Sequence, residues 1–282
     1  MDSLSNRSHS RTNGHNLDVG LNYSDDTWMF NASLGMTPQK RAIERKMGKL
    51  YADTTVHTID FQPMIWVNWK KKEARITFNY SGRTRQPSLS DLMPLTDNSN
   101  PLYITRGNPD LKQMFSHSVR VGFQHSKKGI SANIGGQMEQ NSVTQVVLYD
   151  AKTGGRETSP ININGNWNVY GSANWWKRLG HFSLRLDMNG NHSNRVSMIN
   201  EDKSLEPKKS TTRDTGLNCD ANISYQPTWG GIDFSTSWNY QYSLNSINDN
   251  DTYTRNYSFR LEGYVDPVSY THLRAHETLA NL

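Results

Sequence analysis

The chain has 282 residues, of which 34% are hydrophobic and 10% aromatic, with a net charge of +5 and a mean hydropathy of −0.79. So few apolar residues alongside 8 Trp and 13 Tyr exclude simple disorder, which lacks aromatics, and suit a structure with one apolar face, one polar face and aromatic edges. The basic residues form short clusters such as Lys70-Lys71-Lys72 and Lys127-Lys128; these are turn lysines and not the aromatic-interleaved stripe of a nucleic-acid binder, so no nucleic acid is expected.

Residues 1–14 form a polar N-terminal segment without the apolar core of a signal peptide. From 15 to 265, period-2 alternation dominates, the mark of strands with two unlike faces. Leu17, Val19, Leu21 and Tyr23 share one face, followed by Trp28, Phe30, Ala32, Leu34 and Met36. In 38–51, Ile43, Met47, Leu50 and Tyr51 have helical spacing among Lys40, Arg41, Arg45, Lys46 and Lys49. That stretch is expected to be a solvated loop with one or two helical turns; a basic amphipathic helix touching anionic lipid head groups is the alternative. The stretch 59–69 is less regular, because Met64 and Trp66 fall opposite Phe61, Ile65, Val67 and Trp69.

Alternation returns in Ile76, Phe78 and Tyr80 against Arg75, Thr77 and Asn79, then in Val119, Val121 and Phe123. Ile130, Ala132, Ile134 and Met138 follow, then Trp167, Val169, Ala173 and Trp175. Phe182, Leu184, Leu186 and Met188 oppose Ser183, Arg185, Asp187 and Asn189. Leu217, Cys219, Ala221, Ile223 and Tyr225 oppose Asn218, Asp220, Asn222 and Ser224. Ile232, Phe234, Trp238, Tyr240, Tyr242 and Leu244 oppose Asp233, Ser235, Ser237, Asn239, Gln241 and Ser243. Tyr257, Phe259 and Leu261 close the series. The total is about eleven strands, many of the roughly nine to eleven residues that cross a bilayer at a tilt.

The connections alternate in length. Short turns fall near 24–27, 70–73, 126–129, 177–180 and 227–231, and long loops near 37–55, 82–112, 141–160, 190–210 and 246–253. Outer-membrane barrels are wired this way, with short periplasmic turns and long external loops. Aromatic residues crowd the short-turn ends (Tyr23, Trp28, Trp69, Phe123, Trp175, Trp176, Tyr225 and Trp229), as at a membrane–water boundary. Strands of a soluble β-sandwich also alternate, but they average only about 5–6 residues and need no ordered loop scheme. The expected fold is therefore all-β: an antiparallel transmembrane β-barrel, incomplete here, with about eleven strands of a larger barrel.

The loop at 82–112 is more specific. Tyr80 and Ser81 end a strand; then come Thr84, Gln86 and Pro87, Leu92 and Pro94, Asn100 and Pro101, and Gly107-Asn108-Pro109 with Leu111. This resembles the barrel signature of TonB-dependent receptors, in particular their outer membrane β-barrel family. The prolines fix φ and remove donors, and Gly107 is expected to supply a turn conformation closed to other residues, so these residues are read as architecture and not as a binding site. The resemblance implies an intact barrel of about twenty-two strands in the outer membrane of a Gram-negative bacterium, with lipid, a plug domain and TonB as partners and an extracellular ligand such as a metal chelate or glycan. Plug, TonB-contacting segment and signal peptide are not seen in this sequence, so a fragment is expected. Residues 266–282 are expected to be a non-native tail: from Ser269, SYTHLRAHETLANL resembles translated sequencing-adapter read-through.

No nucleotide-phosphate loop, zinc-type His-Glu-x-x-His or Gly-x-Ser-x-Gly elbow occurs. The lone Cys219 makes no disulfide framework or Cys-based metal site. His117 and His125 lie roughly 27 Å apart along one strand, too far to share a metal. Asn248, Asp249, Asn250 and Asp251 suggest calcium only weakly, lacking the following Gly and bidentate Glu. No enzyme, cofactor, metal site or assignable substrate-binding residue is expected. Arg75, Arg120, Arg185, Asp187, Asp220, Asp233, Arg260 and Glu262 are expected to face a hydrated lumen or a plug, because Arg in hydrocarbon costs ~2–4 kcal/mol at mid-depth. The leading function is nutrient uptake as part of a TonB-dependent receptor; a passive porin or surface-adhesin barrel is second, and a soluble carbohydrate-binding β-sandwich third.

Overall fold

A computed structural model describes residues 6–47, 50–94, 96–149, 154–200, 207–247 and 251–265. In chain order the strands begin with β1 (Asn6–Gly14), β2 (Leu17–Ser24), β3 (Trp28–Met47), β4 (Leu50–Lys71) and β5 (Ala74–Arg85). A one-turn helix α1 (Leu89–Leu92) and short strands β6 (Thr96–Asn100) and β7 (Tyr103–Arg106) follow, then β8 (Met114–His125) and β9 (Ile130–Gln140). Next come β10 (Ser142–Tyr149), β11 (Arg156–Ile163), β12 (Trp167–Leu179) and β13 (Phe182–Ile199). The last are β14 (Lys208–Tyr225), β15 (Gly230–Asn245) and β16 (Asp251–Val265).

Twelve of these strands form one antiparallel sheet in the order β1-β3-β4-β5-β8-β9-β12-β13-β14-β15-β16, with β2 also on β3. β1 pairs with the Gln39–Met47 end of β3 and β2 with its Met29–Met36 end, so the two are one strand position interrupted at His15 and Asn16. The polar segment at the N-terminus thus contributes a strand from Asn6 onward. The sheet has eleven strand positions and is not closed: β1/β2 and β16 have no further neighbour among the described residues. β3 and β4 are 20 and 22 residues long, about twice a bilayer crossing, so the wall continues beyond the membrane on the long-loop side.

That extension corrects the reading of 38–51. No helical turn forms among the described residues there; β3 runs on to Met47 and pairs residue for residue with β4, which starts at Leu50. The partner stretch carries Thr54, Thr55, Val56, Thr58 and Ile59, β-branched residues that fit a pleated surface, and their pairing overrides the helical spacing. Likewise 190–210 is largely the prolonged β13–β14 ladder. The 82–112 and 141–160 loops contain a second, four-stranded sheet in the order β10-β11-β7-β6.

The two faces are uniform across the ladder. One row runs Trp28, Trp69, Ile76, Phe123, Ala132, Ala173, Met188, Cys219, Trp238, Tyr257. Its members are largely exposed, as are Phe259 at 73% and Leu261 at 72%; an apolar surface this continuous marks contact with lipid or protein. The irregularity at 59–69 disappears in register: Trp66 stands between Asn31 and Asn79, and Met64 between Ser33 and Ser81, so both belong to the polar face. Buried apolar residues gather at the long-loop end, where Ile43 of β3 clusters with Leu89, Leu92, Met93 and Leu111. The tail 266–282 lies outside the described residues.

Candidate functional site: the polar wall and its loop cap

Antiparallel register turns the polar positions of separate strands into continuous belts. One belt runs Arg75, Gln124, Ser131, Asn174, Asp187, Asp220, Ser237, Ser258. Above it, Asn189, Asn218, Asn239 and Asn256 stand side by side on β13–β16. The next belt crosses all eleven positions: Asn22, Asn31, Trp66, Asn79, Arg120, Gly135, Tyr170, Asn191, Gly216, Gln241, Thr254.

The charges expected on this face are there, and several are tied to neighbours. Arg185 Nε donates to Asp187 Oδ2 at 2.7 Å, and Asp187 also accepts from the Asn174 amide. Arg260 and Glu262 form an ion pair at 2.6 Å along one strand, and Asp220 accepts from the Asn218 amide. Asp233 sits opposite Ser224 and Glu262. Arg195 and Asp214 add a pair at 2.6 Å toward the long-loop end, where Ser243 Oγ also donates to Asp214. Arg120 donates from Nε and Nη2 to the Tyr170 hydroxyl at 3.1 and 3.0 Å, with its guanidinium 5.5 Å from the ring centroid. Tyr170, Asn191, Gly216, Asn218 and Gln241 help line a groove of about 390 Å³. Amide donors and acceptors beside an aromatic ring suit water, a neutral polar solute or a packed polar partner.

Sequence reading passed over Tyr170 and set Trp66 aside as an irregularity. Their signal was parity alone: each shares a strand face with Asn residues, Tyr170 with Asn168 and Asn174, Trp66 with Asn68.

The cap over the long-loop end is built from the residues of the 82–112 motif. Pro63 lacks an N–H, and the β4–β5 ladder ends beside it at Met64↔Ser81. Thr84 Oγ1 then takes over, accepting from Phe61 N at 2.8 Å and donating to Phe61 O at 3.2 Å. Gln86 Nε2 donates to Asp60 and to Gln113 Oε1, and Arg41 Nη2 donates to Pro87 O. Ser88 caps α1 by accepting from Asp91 N at 3.1 Å, and Leu89, Leu92 and Met93 bury against Ile43. Asn108 Nδ2 reaches Pro160 O at 3.0 Å, and Asn162 brackets the Lys112 backbone through its N and O. An Arg106–Glu157 ion pair and Arg156 over the Tyr103 ring join the same two loops. Gly107 is required for a different reason from the one expected: its φ is not positive, but a Cβ there would lie 1.9 Å from Met93 O.

His117 and His125 are not brought together with other ligands. His117 packs edge-on against Phe115 with ring centroids 4.7 Å apart and bonds the Tyr80 hydroxyl, while His125 Nδ1 accepts from Lys128 N. No group of three or more metal-ligating side chains occurs among the described residues. Of the weak calcium candidate, 248–250 lie outside the described residues, and Asp251 opens β16 opposite Leu244. At the short-turn end Asp25 accepts from the Tyr23 hydroxyl at 2.7 Å and from the Thr27 and Trp28 amides. The Tyr23 hydroxyl first, then those two amides, hold its carboxyl below the ordinary carboxylate range.

Residues 39–263 match the outer membrane protein beta-barrel family. No curated protein matches the chain. Among solved structures, the siderophore receptor PirA from Pseudomonas aeruginosa aligns with a TM-score of 0.41 at 12% identity, over 91% of this chain and 58% of that one. The chain therefore spans less than two thirds of that receptor's length.

Proposed function

The chain belongs to the outer membrane protein beta-barrel family and to the outer membrane of a Gram-negative bacterium, and on that premise we propose that it is barrel wall of a TonB-dependent receptor. In this reading the intact protein takes up a scarce nutrient, such as a metal chelate or a glycan, by TonB-driven movement of a plug domain, with no enzymatic step. The observation that carries the proposal is the 82–112 connection. Thr84, Gln86, Leu92, Gly107, Asn108 and Leu111, the residues that give the loop its resemblance to these receptors, are those that build the cap.

The polar wall supports the same reading. Arg185–Asp187, Arg260–Glu262 and Arg120–Tyr170 are joined to each other within the face, as suits a surface packed against a polar plug. The two open edges call for more strands, because an unpaired edge in hydrocarbon leaves backbone groups without partners. Cells expressing the full-length protein test the proposal through nutrient uptake with and without the proton-motive force. A receptor stops transporting when TonB is deleted or the force is dissipated; uptake that continues unchanged identifies a passive porin instead.

A further inference from the structure

Three neighbouring short turns, those after β4, β8 and β12, converge on one recess of about 1060 Å³ at the periplasmic rim. Six cations line it: Lys71, Lys72, Lys127, Lys128, Lys177 and Arg178. All six are exposed. The one acid among the lining residues, Glu73, accepts from Ser126 Oγ at 2.6 Å. The turns are fastened to each other: Trp176 N donates to Gly129 O at 2.9 Å, and Ser126 N to Glu73 O at 3.0 Å. The charge is local. The turn on one flank carries Asp25 and Asp26, and the turn on the other reads Gln226-Pro227-Thr228-Trp229 without a cation.

The apolar side of this recess has a shape of its own. A single register row sets Lys71, Ala74, His125, Ile130 and Trp175 side by side. One row deeper run Trp69, Ile76, Phe123, Ala132 and Ala173. Ala74, Ile76, Ile130 and Ala132, with the Phe123 and His125 rings among them, thus lie between two indoles on the lipid face, beside the turn cations. An anionic head group below an acyl chain matches this order of charge, aromatic ring and apolar floor.

We propose that this recess is a docking site for an anionic phospholipid of the periplasmic leaflet, its phosphate among the turn lysines and its chain on Ala74, Ile130 and Ala132 between Trp69 and Trp175. The site depends on the barrel alone and stands whether the intact protein is a receptor or a porin. The test uses the full-length protein, reconstituted in vesicles of equal parts phosphatidylglycerol and phosphatidylethanolamine, extracted in mild detergent and analysed for retained lipid by mass spectrometry. Phosphatidylglycerol should be enriched by roughly tenfold. Together Lys71→Gln, Lys72→Gln, Lys127→Gln and Lys128→Gln should bring retention near parity. These side chains are exposed and have no side-chain partner among the described residues, so the barrel should still fold. Lys40→Gln, Lys46→Gln, Lys208→Gln and Lys209→Gln, which remove the same charge from the other end, should keep the enrichment. Equal retention of both lipids by the unaltered protein overturns the proposal, as does the same loss of enrichment in both variants or in neither.

Discussion

The α-carbon of Gly107 is pressed against the backbone of Met93: a Cβ on Gly107 would sit 1.9 Å from the Met93 carbonyl oxygen and 2.9 Å from its carbon. Met93 itself is 1% exposed, held with Leu89, Leu92 and Leu111 against Ile43. Neither partner can give way without opening the cap. Gly107→Ala should therefore destabilise the cap by about 1–3 kcal/mol, the usual cost of overpacking, while leaving the wall intact. Limited proteolysis of the folded barrel should show faster cleavage within 86–113 and unchanged strands; equal protection of that loop would contradict the account.

Arg120, Gly135 and Tyr170 make a second prediction, on the polar wall. Tyr170→Phe removes one hydrogen-bond acceptor from an exposed arginine and keeps the ring, so it should cost under about 1 kcal/mol. Gly135→Ala should cost more, because its Cβ would meet the Tyr170 ring at 2.7 Å and the Val119 carbonyl at 2.9 Å. Thermal unfolding of both variants in detergent gives the order directly. A larger loss from Tyr170→Phe would mean that the ring's seat on Gly135 is not as described.

A third concerns acid. Asp25 closes the β2–β3 turn through the Tyr23 hydroxyl and two backbone amides, and its carboxyl is held below the ordinary carboxylate range. A depressed folded-state value means that this contribution is complete above that range and is lost as pH falls through Asp25's own lower value. Hydrogen-exchange protection of the Thr27 and Trp28 amides, corrected for intrinsic rates, should persist just below the ordinary range and collapse at lower pH. Asp25→Ala should lack that protection at every pH. Identical profiles for the two proteins would remove Asp25 from the turn.

Much of the wall was legible because a strand's period of two writes both faces into the sequence: Leu184 beside Arg185, Phe259 beside Arg260. The short turns were legible for a related reason, since alternation stops at Asp25-Asp26 and restarts at Trp28. Register was not. Nothing local says that Asn189, Asn218, Asn239 and Asn256 form one row, because that depends on pairings between strands. The extension of β3 through Met47 was hidden because the spacing of Ile43 and Met47 suits a helix, and only the partner strand decides otherwise. For the same reason, the motif of 82–112 indicated a fixed loop without revealing that Thr84 replaces a ladder broken at Pro63.

The central claim is that one face of this sheet meets lipid and the other meets water or a polar partner, and chemical labelling across a single ladder tests it most directly. In the full-length protein, refolded in lipid on a Cys219→Ala background, Trp238→Cys, Phe259→Cys and Leu184→Cys should react with a lipid-soluble thiol probe and resist a water-soluble one. Asn239→Cys, Arg260→Cys and Arg185→Cys, each one residue further along the same strands, should do the opposite. Equal labelling of the two sets by either probe would contradict the barrel wall.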